Sequence, residues 1–183
     1  IEDRNRLFLA VRYFNGYYLD QPEQEEYQEE RKYNNAFGYL SEFTFYRQDF
    51  YKTRYVFGFG RTEDVPYGIN ISVSGGYIRQ LNRERPYLGF KFDYSKATGK
   101  GNFISTKFQT GAYYLDKKLE DVIIQGRVAY YSRLLQLNRF KMRNYVIAGF
   151  TQLTNRTVVD WLNITKKDIP GFSADSLDAD KRF

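Results

Sequence analysis

The chain has 183 residues, 19% of them aromatic and 27% charged, a net charge of +6, no cysteine and no histidine. Without cysteine there is no disulfide framework, thiolate metal site or cysteine nucleophile, and without histidine no Ser-His-Asp or Asp-His hydrolytic arrangement can be built from this chain. No run of about 20 apolar residues exists, so helical spans are excluded, but a mean hydropathy of -0.65 leaves open membrane strands with only every second residue apolar.

The first predicted strand covers 6–19, with Leu7, Leu9, Val11 and Tyr13 on one face. The acidic stretch Asp20–Lys32 is too polar and unpatterned for a strand and reads as an exposed loop. A second strand, 36–46, sets Phe37, Tyr39, Phe43 and Phe45 against Glu42 and Thr44, and a polar turn at Gln48-Asp49 leads into a third, 50–61. There Tyr51, Thr53, Tyr55, Phe57 and Phe59 alternate with Lys52, Arg54, Val56, Gly58 and Gly60. Thr62–Gly68 breaks the pattern with a proline and a glycine before strand 69–80, where Ile71 and Val73 oppose Asn70, Ser72 and Ser74. Strand 87–95 alternates Leu88, Phe90, Phe92 and Tyr94 with Gly89, Lys91 and Asp93. After the Ser95–Gly101 loop, strands follow at 102–115, 121–133, 140–152 and 157–164, while 165–183 carries no clear strand period.

Nine strands joined by hairpin-length connections predict an all-β, antiparallel up-and-down meander. Such a meander closes into a barrel or leaves long unpaired edges. Charges sort onto one face: Arg12, Glu42, Lys52, Arg54, Lys91, Asp93, Lys107 and Arg127, joined by Lys141 and Arg143. These are the expected lumen-facing residues of a transmembrane β-barrel, because a charge facing lipid at the midplane costs about 2–4 kcal/mol. Tyr51, Tyr55, Phe57, Phe59, Phe90, Phe92 and Tyr94 are the expected lipid-facing set. The inverted arrangement, a soluble barrel with an apolar interior, stays open, although bulky aromatics on many strands would overfill a small barrel. Lysine and arginine are dispersed rather than clustered, so no nucleic-acid partner is expected.

At Gly58–Gly68 and again at Ile169–Phe183 the sequence resembles the surface-antigen superfamily of outer-membrane barrels, which includes barrel-assembly insertases and two-partner secretion transporters. The resemblance implies a barrel of about sixteen strands, of which this chain would be an internal portion. It also implies an infolded extracellular loop with an apolar-Arg-Gly-aromatic motif. Ile169, Pro170, Gly171 and Phe172 fall where that motif would lie, with Pro170 replacing the usual arginine that anchors the loop; the same residues also suit an ordinary Pro-Gly turn. Long connections after the first, third and fifth predicted strands, and short turns after the second, fourth and sixth, would bring the ninth strand and this loop to the extracellular side.

The implied function is non-enzymatic: insertion or export of client polypeptides at the outer membrane of a Gram-negative bacterium. Lipid, clients and other barrel-complex subunits would be its partners, and no cofactor, metal or catalytic residue is expected. The alternative is a self-contained small barrel with a passive pore, adhesive or ligand-binding role. A barrel lipase or protease is disfavoured by the missing histidine.

Overall fold

The computed structural model describes residues 4–21, 33–56, 60–98, 101–157, 162–163, 178–179 and 181–182, and every regular element among them is a strand. β1 (Asn5–Gly16), β2 (Ala36–Arg54), β3 (Thr62–Gln80), β4 (Arg83–Ala97), β5 (Phe103–Leu115) and β6 (Lys118–Tyr131) pair in chain order, each antiparallel to the last. A short hairpin of β7 (Leu135–Leu137) and β8 (Phe140–Met142) precedes β9 (Tyr145–Thr154), which extends the sheet beyond β6. β10 (Leu162–Asn163) pairs with β11 (Asp178–Ala179), and β12 (Lys181–Arg182) pairs with β9. The main sheet is therefore an antiparallel up-and-down sheet of eight strands, open among the described residues, with β1 and β12 at its edges.

Two tight turns define one end of the sheet. Leu81 and Asn82 both have φ 55°, and Asp116 and Lys117 have φ 48° and 63°. A pair of left-handed residues in a two-residue loop matches the twist of the strands it joins. Gly16 opposes Ala36, which opposes Gln80, so the connection from β1 to β2 begins and ends at this same turn end. At the opposite, loop end lie the connections 55–61, 98–102 and 132–144.

One long strand replaces the expected strands 36–46 and 50–61. Gln48 and Asp49 make no turn; they oppose Gly68 and Tyr67 in an unbroken ladder. The Asp49 carboxylate accepts from Arg4, from the Tyr67 hydroxyl at 3.0 Å and from the Phe50 amide at 2.8 Å, so its polarity is answered within the strand. Pro66 does not end β3 either. The β4 ladder stops at Gly68–Ser95, so Pro66 sits where β3 is bonded to β2 alone, an edge that tolerates the missing N–H. Because two expected strands are one, β1 runs opposite to the direction its sequence position suggested, and the acidic connection moves to the turn end. The expected strand 140–152 is likewise two elements, β8 and β9, broken at Arg143-Asn144.

Alternation changes phase inside the β2–β3 hairpin. Exposed positions on β2 are odd from Phe37 to Arg47 and even from Phe50 to Arg54; on β3 they are even from Thr62 to Pro66 and odd at Val73 and Arg79. The switch falls at the opposed pair Gln48–Gly68. Gly68 has φ 145°, and a Cβ there would strike the Arg47 carbonyl oxygen.

Cross-strand register gathers the apolar side chains on one face. Successive rows read Leu9–Phe43–Val73–Phe90–Thr110–Ile124 and Leu7–Phe45–Ile71–Phe92–Phe108. No described residue covers them: Leu9 is 72% exposed and Leu88, on the same face, 66%. Val65, Phe103 and Ala129 are the buried apolar side chains among the described residues. The accessible surface is 13952 Å² for a 21.8 kDa chain, where a compact monomer would present about 9,000 Å².

Candidate functional site

The opposite face is polar and concave. Its rows read Thr44–Ser72–Lys91–Gln109–Gln125–Thr151 and Tyr46–Asn70–Asp93–Lys107–Arg127–Gly149. The curl is visible at the loop end, where the 132–144 connection reaches the tip of β2. Lys141 Nζ lies 3.3 Å from the Tyr55 hydroxyl, and Arg143 Nη2 donates to the Arg54 carbonyl at 3.2 Å. In a flat sheet β2 and β6 would stand about 19 Å apart, at ~4.8 Å per strand.

Toward the turn end this face carries a buried ion cluster. A β-bulge in β6 places an extra residue opposite β5, and Asp121 takes φ 49° there. The bulge aims Asp121 at Arg85, whose Nη1 meets Asp121 Oδ2 at 2.7 Å, Glu120 Oε2 at 3.0 Å and Thr157 Oγ1 at 3.3 Å. Arg85 is 3% exposed, and its guanidinium stacks 4.2 Å from the centre of the Tyr113 ring. Asp121 also accepts from the Thr157 amide at 2.8 Å. Beside the cluster, Tyr87 lies across Gly89 and Gly111; a Cβ on either glycine would come within 2.7 Å of its hydroxyl oxygen. A second pair bridges β2 and β4 over β3: Lys91 Nζ is 3.4 Å from Glu42 Oε2, above the Thr44–Ser72 hydroxyl contact of 2.8 Å.

At the loop end the concave face opens into a cavity of about 500 Å³. Val65 and Phe103 both line it, although β2–β3 register and β5 register would put them on opposite faces of an uninterrupted sheet. The phase change at Gly68 is what turns Val65, and its partner Tyr51, inward. The Tyr51 hydroxyl lies 3.9 Å from where a Cβ on Gly101 would sit.

Of the residues expected to face a lumen, Arg12, Glu42, Lys91, Asp93, Lys107 and Arg127 share the concave side by register. Lys52 and Arg54 lie beyond the phase change, on the exposed side with Phe50. Of the residues expected to face lipid, Phe90, Phe92 and Tyr94 share the convex face, Tyr51 turns inward, and Tyr55 follows the end of β2 with φ 64°, under the Lys141 ammonium. Phe57, Phe59 and the loop-motif residues Ile169, Pro170, Gly171 and Phe172 lie outside the described residues; the segment holding the motif is flanked by the paired strands β10 and β11. Arg85 and Glu120 fall between the expected strands, and Asp121 opens the strand expected over 121–133. The available signal was phase, since Arg85 shares its parity with Tyr87, Gly89, Lys91 and Asp93.

No protein-family model, no curated protein and no solved structure matches the chain.

Proposed function

We propose that this chain is part of the wall of a bacterial outer-membrane β-barrel, of about sixteen strands in the full barrel. Its convex face would meet lipid and its concave face an aqueous lumen, and the barrel would insert or export client polypeptides. One observation carries the membrane reading: the apolar rows of the sheet lie uncovered on one face while charged and hydroxyl side chains gather on the other. Exposing a large apolar side chain rather than burying it costs about 1.5–3 kcal/mol, so a face of this size needs an apolar environment. The outward-facing stretch from Phe37 to Arg47 spans eleven residues, in keeping with the roughly 9–11 needed to cross a bilayer. The edges at β1 and β12, open among the described residues, favour completion by further strands, because lipid tolerates no open edge. The client-handling role rests on the surface-antigen resemblance.

Two measurements test the two parts separately. In liposomes of brominated lipid, and with the native Trp161 replaced by Phe, tryptophan fluorescence from Phe92→Trp should be quenched and that from Gln109→Trp should not. Equal quenching at both sites would refute the two-faced wall. Proteoliposomes holding the protein should then accelerate folding of an outer-membrane client above empty liposomes. A protein that passes the first test and fails the second is a barrel of the passive or ligand-binding kind.

A further inference from the structure

Charges on much of the concave face are answered inside the chain, Arg85 by Glu120 and Asp121 and Lys91 by Glu42. The loop-end cavity differs. Among the described residues Lys107 and Arg127 line it against the carboxylate of Asp93, and none of these three side chains has an ion-pair or hydrogen-bond partner there. Lys107 and Arg127 stand directly opposite one another across β5 and β6, a like-charge pair that destabilises a sheet unless an anion lies between. Beside them Asn70 Oδ1 is buried without a partner, which leaves an acceptor in want of a donor. Phe103 and Tyr131 supply apolar walls, and the volume of about 500 Å³ suits a small molecule, for which sites run about 300–1,000 Å³.

We propose that this cavity binds a small ligand bearing a carboxylate or a phosphate, with the anion between Lys107 and Arg127 and a hydroxyl or amide N–H donating to Asn70 Oδ1. The assignment needs no client polypeptide and stands apart from the role given to the barrel. Calorimetric titration of the detergent-folded protein with inorganic phosphate, and separately with glucuronate, distinguishes the two anions. At least one probe should bind saturably. Lys107→Gln combined with Arg127→Gln should weaken that binding about tenfold or more, a loss of roughly 1.4 kcal/mol or more. Lys91→Gln, whose charge is already paired, should leave it unchanged. Asn70→Leu should weaken glucuronate, which offers several hydroxyls, more than phosphate. The proposal is overturned if neither probe binds at about 10 mM, or if binding survives the double neutralisation in protein with unaltered circular dichroism. Should the double variant misfold, salt decides: an affinity that does not fall between about 50 and 300 mM NaCl also overturns it.

Discussion

Arg85 is the residue on which the concave face depends most. With three oxygen partners and an aromatic ring against it, it leaves almost no surface to water. Arg85→Ala would leave Asp121, 8% exposed, without its ion pair and Glu120 with Arg83 alone, and breaking a buried pair by removing one partner costs about 3–5 kcal/mol. Thermal or urea unfolding of the reconstituted protein should register a loss of that size; an unchanged midpoint would mean that water already screens the cluster. Glycine at 111 has an equally specific reason. Its added Cβ would meet the Tyr87 hydroxyl at 2.7 Å, while the next ring atoms lie at 3.3 Å. Gly111→Ala should therefore destabilise by about 1–3 kcal/mol through overpacking. Tyr87→Phe in the same chain should recover much of that, and a double variant no better than the single one would locate the strain elsewhere.

At the scale of elements, the β2–β3 hairpin holds the most instruction. Gly68→Ala would force a side chain into φ 145° and against the Arg47 carbonyl, with a cost of about 1–3 kcal/mol. The hairpin would also lose the phase change, so a probe at Tyr51 should become more exposed. A thiol-specific reagent on Tyr51→Cys measures this cleanly, because the chain has no other cysteine. On the convex face, Phe90→Arg should cost about 2–4 kcal/mol in a bilayer if the residue sits near the midplane, whereas Gln109→Arg on the concave face should be tolerated. Much of the fold was legible in the sequence, since a period of two set the strands and the apolar rows from Phe43 and Phe45 to Phe90 and Phe92. What was hidden depended on partners. A proline reads as a breaker until it is known that the β3–β4 ladder stops short of Pro66, and Gln48-Asp49 reads as a turn until Arg4 and Tyr67 are seen to satisfy it. The ion cluster was missed for the same reason, since a bulge in β6 has no signature in the chain until the partner strand is counted against it.

Over the whole molecule, the shortage of buried apolar side chains decides how the chain can be handled. With Val65, Phe103 and Ala129 as the buried apolar set among described residues, collapse in water has little to gain, and folding should require an apolar phase. Removal of detergent or lipid should abolish the cooperative thermal transition, and a monomer that stays cooperatively folded in plain buffer would contradict the membrane reading. The hairpin carries one more consequence at this scale. β2 and β3 are 19 residues each, about 60 Å of strand at ~3.3 Å per residue, and the apolar stretch up to Arg47 occupies only part of that length. On the proposed membrane reading, the pairs from Gln48–Gly68 to Arg54–Thr62 would continue about 20 Å beyond the apolar stretch. If the proposed membrane reading holds and the loop end faces outward, an antibody approaching from that side would meet the end of this hairpin, together with the 132–144 connection that contacts Arg54 and Tyr55, before the barrel wall.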